Sequence, residues 1–305
     1  METKDDPAVI EPRRGAREKT LPPDCLLVFT PQDRELIHRC FENPPQSTHR
    51  VFLVEVAQGR WGSRDLAVAG PMMGAPQAVL TVEKLIALGV RRIVALGWCG
   101  SLQPAVRIGD VVLPTGAISG EGTSAHYPLG EGVVAGPSER LWHGLAEALG
   151  AGGAGGEVEG TEGTKGTEGI GGTEGAGGTG GTGGAGKAEA AEEVRGRRAT
   201  GGPAGDELRV HRGRVWSIDA PYRETVRKVR RCQQEGILGI DMETSALFTV
   251  ARYRGIDLAC VLVVSDDLST LQWVHGFKDP RFLEARKRVV RCVLQTLEAA
   301  GGHGK

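Results

Sequence analysis

No apolar run in these 305 residues approaches the ~20 needed to cross a bilayer, and the opening M-E-T-K-D-D-P lacks the basic and then apolar layout of a secretory leader. Charge of one sign is missing too. Against 37 Lys and Arg stand 38 Asp and Glu, a formal charge of -1, so no electrostatic excess favours nucleic acid or an anionic membrane. No C-x-x-C pair occurs. Six cysteines (Cys25, Cys40, Cys99, Cys232, Cys260, Cys292) are scattered, and Cys99 and Cys260 sit inside apolar runs, which fits a reducing cytosol. No G-x-G-x-x-G follows the first apolar run, which disfavours a dinucleotide-binding oxidoreductase. These absences leave the expectation of a soluble, cytoplasmic protein with a small-molecule partner, no nucleic acid and no membrane.

What is present is a 40% hydrophobic composition, enough for a buried core. Residues 1–24 are charged and Pro-rich without periodicity and read as a mobile tail. From Cys25 the sequence predicts strands at 25–29, 51–56 and 65–69, then a helix that opens at Pro76, repeats Val79, Val82, Leu85 and Ile86, and stops at Gly89. Strands follow at 91–97 and 110–114, and this alternation argues for an α/β sheet. Between about 150 and 205 Gly, Thr, Glu and Ala dominate and no core can form, so this stretch reads as a disordered insertion. Its G-T-G-G-A-G-K-A (Gly181 to Ala188) imitates a P-loop but has Ala where Ser or Thr should stand, and no strand precedes it. The helix at 138–149 and the strand at 210–218 then flank the insertion within one domain, 25–300.

Three short stretches carry chemistry. I-D-M-E-T-S-A-L (Ile240 to Leu247) places acids at a helix start, where they serve as caps or face a cleft. C-V-L-V-V-S-D-D (Cys260 to Asp267) is a strand pattern that delivers Ser265, Asp266 and Asp267 at its C-terminal end, where open α/β sheets place ligands, although the same residues suit a plain acidic loop. G-W-C-G-S-L (Gly97 to Leu102) is a glycine turn after a central strand, open to close approach of a ligand.

In order and spacing these stretches resemble the nucleoside phosphorylase and nucleosidase superfamily, which includes purine nucleoside phosphorylase and uridine phosphorylase. The resemblance covers about 25–150 and 206–300. It implies a three-layer α/β/α single domain with a central mixed sheet, cleaving the N-glycosidic bond of a nucleoside. By that likeness Glu243 accepts the ribose hydroxyls and Met242 lies against the sugar. Asp266 is the catalytic acid toward the base N7, with Ser265, Tyr222 and Arg223 on the base side. Arg223 and His126 also read as plain solvated or structural residues. The Ser265–Asp266 pair tilts toward a purine, whereas E-G-T-S-A-H-Y (Glu121 to Tyr127) looks like uridine phosphorylases. Phosphate as co-substrate would lie near Gly97 and Trp98; no metal or organic cofactor is implied, and a homo-oligomer is.

Two departures touch the phosphate. Ala95 and Trp98 stand where phosphorolytic relatives supply an Arg and a Ser or Thr, and Gln32 replaces a Gly in T-P-Q-D-R (Thr30 to Arg34). Arg34, Arg50, Arg60 and Arg64 are candidate substitutes. Hydrolysis with Glu55, Glu83 or Glu121 as base is the alternative, and a catalytically inactive nucleoside-binding protein is the second.

Overall fold

A computed structural model describes residues 7–41, 43, 45–129, 133–150 and 208–299. Its framework is one ten-stranded mixed sheet in the order β10-β9-β6-β7-β8-β5-β1-β4-β3-β2, with β9 also paired to β5. The strands are β1 Asp24–Val28, β2 Gln46–Val51, β3 Val54–Trp61, β4 Arg64–Ala69, β5 Arg92–Ser101, β6 Val111–Gly120, β7 Val210–Ile218, β8 Gly239–Asp241, β9 Asp257–Asp267 and β10 Val274–His275. The extra β9–β5 pairing closes β5, β9, β6, β7 and β8 into a ring, while β1, β4, β3 and β2 extend it as an open sheet.

Alternation along the strands makes the three layers. Cys25 and Leu27 of β1 join one apolar cluster, Leu26 and Val28 the other, and β9 divides the same way, with Leu258 and Cys260 opposite Ala259 and Val261. The first cluster packs under α2 (Ala75–Ala87) and α5 (Thr244–Arg254). The second lies under α1 (Pro31–His38), α3 (Glu139–Ala148) and α6 (Pro280–Ala299). A further helix, α4, covers Val226–Gln234. The architecture is therefore the expected three-layer α/β/α arrangement around a mixed sheet. α6 was not anticipated, although Phe282, Ala285, Val289, Val293 and Leu297 recur on its buried face at helical spacing.

Two expectations need correction. Residues 51–56 are not one strand: β2 ends at Val51, the chain turns through exposed Phe52 and Leu53, and β3 begins at Val54. Five apolar residues in six concealed a hairpin turn, in which Phe52 takes a φ of 54°. Nor do residues 11–24 lie free as a tail. Leu21 is buried and its N–H donates to the Leu88 carbonyl at 2.8 Å, Lys84 Nζ donates to the Arg13 carbonyl at 2.7 Å, and Arg254 pairs with Glu11 at 3.1 Å. Asp24 already belongs to β1, held by Arg92 at 2.6 Å. Tertiary partners thus order a stretch that has no periodicity of its own. The Gly-rich stretch and its P-loop imitation lie outside the described residues.

Candidate active site

The C-terminal ends of β1, β5 and β9 meet β8 around a cavity of about 240 Å³. Phe29 and Thr30 follow β1, Trp98, Cys99 and Gly100 come from β5, Ile240 and Asp241 from β8, and Ser265 and Asp266 from β9; Met72, Met73, Pro221, Glu224, Met242 and Glu243 complete the lining. This is the crevice at strand carboxyl ends where α/β sheets place ligands. A wider depression of about 580 Å³ beside α1, lined by Arg34, Glu35 and His38 among others, contains none of the expected ribose-binding, base-binding or catalytic residues.

The two acids before α5 divide the tasks of cap and site. Asp241 is buried, and its carboxylate accepts from Ser217 Oγ at 2.5 Å and from the Thr244 N–H at 2.9 Å, satisfying a first-turn donor of α5. Glu243 turns the other way. Its Oε1 accepts the Gly74 N–H at 2.6 Å and its Oε2 the Met242 N–H at 3.3 Å. Gly74, with a φ of 81° at the start of α2, aims that N–H across the crevice, a conformation that costs residues with a Cβ. Burial, and then the charge of Asp241, push the Glu243 carboxyl up to about 8, and burial also raises Asp241.

Asp266 reaches the cavity through an irregularity in β9. Cys99 pairs with Val264 but Gly100 pairs with Asp266, so Ser265 is an extra residue against β5. Such a bulge re-aims the side chain that follows it. A Cβ on Gly100 would stand 3.0 Å from Asp266 Oδ2, so the carboxylate lies directly over glycine backbone. Burial raises the Asp266 carboxyl, against donors from Ser265 Oγ at 2.6 Å to Oδ1 and Trp273 Nε1 at 3.0 Å to Oδ2. Glu224, which sequence reasoning missed, stands on the same side of the cavity; burial, and then the charge of Asp266, bring it up to about 7. Its only sequence signal is an acid two residues before the strongly basic α4 segment V-R-K-V-R-R.

A model for the phosphorylase superfamily matches residues 23–298. The chain belongs to that superfamily. Among curated relatives, a guanosine phosphorylase from Halorubrum lacusprofundi is 25% identical over 246 residues, covering 80% of this chain and 79% of that protein. A DeoD-type purine nucleoside phosphorylase from Bacillus cereus is 24% identical over 213 residues, covering 70% of this chain and 68% of that protein. Among solved structures, a uridine phosphorylase from Vibrio fischeri superposes with a TM-score of 0.65 at 19% identity, covering 93% of this chain and 99% of that one. A purine nucleoside phosphorylase from Toxoplasma gondii in complex with immucillin-H gives a TM-score of 0.65 at 17% identity, covering 91% and 90%. These two likenesses establish the phosphorylase fold.

In this member of the phosphorylase superfamily, Met242, Glu243, Ser265, Asp266 and Trp98 are brought together as linings of one cavity. Three other expected residues are not. Gly97 is packed, not open: a Cβ there would lie 3.2 Å from both Leu262 and Phe29, so its missing side chain serves the core, and Gly100 is the glycine at the cavity. Tyr222 and Arg223 fall on a single 3-10 turn, Pro221–Arg223, that points them outward; Tyr222 is 100% exposed, and Pro221 and Glu224 face the cavity instead.

Among the described residues the lining contains no Lys, Arg or His. The T-P-Q-D-R segment forms the start of α1, where Thr30 caps by accepting the Asp33 N–H at 3.1 Å. Buried Asp33 pairs with Arg286 at 2.7 Å, and the Arg286 guanidinium lies 5.0 Å from the centre of the Trp98 ring. Arg286 is thus committed behind the indole. Arg34 pairs with Glu55 at 2.8 Å, Arg60 with Asp65 at 3.3 Å and Arg64 with Asp24 at 2.5 Å, and neither these nor Arg50 line the cavity. The three acids considered as bases lie elsewhere too. Glu83 accepts from Tyr127 at 2.9 Å and pairs with Arg254; burial alone would raise Glu121, but Ser124, Ser119 and Ser245 hold it below its usual value. His126 is at the end of a 3-10 turn, away from the lining.

Proposed function

We propose that this protein cleaves the N-glycosidic bond of a purine nucleoside, with inorganic phosphate as acceptor, giving free base and ribose 1-phosphate. The observation that carries this reading is the convergence of Glu243 and Asp266, from two distant motifs, on one small cavity. Glu243 accepts the ribose hydroxyls beside Met242, fixing the sugar for attack. Asp266 gives its proton to the base N7 as the C1′–N9 electron pair withdraws into the base, and a phosphate oxygen bonds to C1′. A positioned proton donor of this kind contributes about 10²- to 10⁴-fold. Burial raises the Asp266 carboxyl toward its protonated form and brings neighbouring Glu224 up to about 7, which supports the acid role. Ser265 holds the acid on the base side, and Glu224 meets the ring edge.

The names of the relatives, a guanosine phosphorylase and a purine nucleoside phosphorylase, support a purine and phosphate. A second reading, hydrolysis by water, is favoured by the lining itself, where among the described residues four acids and no cation oppose a phosphate dianion. The test is base release from purine and pyrimidine nucleosides with and without phosphate, with Asp266→Asn as control. Release that requires phosphate and yields ribose 1-phosphate upholds the proposal. Free ribose without phosphate replaces it with hydrolysis, and binding without release makes the chain a nucleoside-binding protein. The reading needs no organic cofactor or metal. It includes a homo-oligomer, to be checked by light scattering, in a reducing cytoplasm suited to six free cysteines.

A further inference from the structure

Trp273 stands seven residues beyond Asp266 and yet bonds it, Nε1 to Oδ2 at 3.0 Å. The hairpin brings them together: after β9 the chain turns through Leu271, at a φ of 63°, and returns as β10, where His275 pairs with Asp266. Trp273 is 64% exposed, so burial of the ring does not account for its placement. Its edge contacts are Phe277 at 6.4 Å and His275 at 5.8 Å, and Phe277 continues to Trp98 at 6.1 Å, so an aromatic row runs from the cavity lining to the indole.

We infer that Trp273 is a positioning residue for Asp266, holding its carboxyl over Gly100 and stabilising the carboxylate that remains after the proton has gone to the base. An indole N–H only donates. Oδ2 must therefore act as acceptor, and a protonated Asp266 carries its hydrogen on Oδ1, beside Ser265 Oγ. A donor already aimed at the departing charge eases proton transfer without reorganisation. The other charged or titratable groups about Asp266 are Asp267 on β9, His275 on β10, Glu224 before α4 and Cys99 on β5. This inference rests on the acid role proposed for Asp266.

Trp273→Phe keeps the ring and removes only the N–H. The expected result is a kcat lower by about 10-fold with KM nearly unchanged, and a high-pH limb of kcat/KM displaced to higher pH, because the carboxylate has lost a donor. A structural role alone would not move that limb. Equal kcat and an unmoved limb in Trp273→Phe, with Asp266→Asn inactive, overturn the inference and leave the acid role standing. Full activity in Asp266→Asn overturns the acid role itself. A readout independent of turnover is the Trp273 indole N–H resonance, assigned by its loss in Trp273→Phe. It should titrate with Asp266 and stop titrating in Asp266→Asn; a resonance indifferent to both overturns the positioning.

Discussion

Asp241 and Glu243 are two residues apart and bond to different helices: Asp241, the last residue of β8, accepts the N–H of Thr244 in the following α5, while Glu243 accepts that of Gly74 at the start of α2, 169 positions away in sequence. One acid completes the start of α5; the other is held at the cavity by a backbone donor from α2.

Burial and repulsion from Asp241 make Glu243 a costly residue. Its folded value, about 8, lies above its ordinary 4.5. The folded state then binds more protons than the unfolded one, and its stability falls as pH rises from 4.5 through 8. Glu243→Gln should therefore melt about 2–4 °C above wild type at pH 8.5 and show little difference at pH 4.5. Glu243→Ala should raise KM and lower kcat. Equal melting temperatures at both pH values would remove the electrostatic account.

Asp266→Asn should lower kcat by about 10²- to 10⁴-fold with an unchanged near-UV circular dichroism spectrum. The amide is isosteric and can keep the contact with Trp273, so folding should survive. Activity within twofold of wild type would show that another group protonates the base.

Glu224 comes up to about 7, so it offers a donor below that pH and only acceptors above it. Relative kcat/KM for 6-oxopurine over 6-aminopurine nucleosides should rise by about 10-fold from pH 6 to pH 8, because a carboxylate suits a ring N–H. In Glu224→Gln the ratio should be flat. A wild-type ratio independent of pH would place Glu224 off the ring edge.

Arg286 is nearly buried between Asp33 and the Trp98 ring. Arg286→Met strands the Asp33 charge and should cost about 3–5 kcal/mol in denaturant unfolding. Tyr222→Ala, by contrast, removes a wholly exposed ring and should leave kcat/KM within about twofold.

The regular elements were legible because their apolar residues follow the pattern that a helix or a central strand buries. Helix α2 carries apolar residues at helical steps along one buried face, and strands β1, β4 and β9 are short continuous apolar runs that a central strand buries on both faces. The D-M-E and V-S-D stretches were legible as well, since acids at a helix start and a strand end lie where such sheets open. Other features had no local signal. The Phe52–Leu53 turn looked like strand, the outward face of Tyr222 depends on one 3-10 turn, and the anchoring of residues 11–24 depends on Leu88, Lys84 and Arg254. Glu224 and Trp273 join the site through a turn and a hairpin, and Asp266 faces the cavity because β9 has one residue more than β5 requires. Local periodicity records which face of an element is buried. It does not record which strand lies opposite, and the chemistry of this cavity is set by those pairings between distant segments.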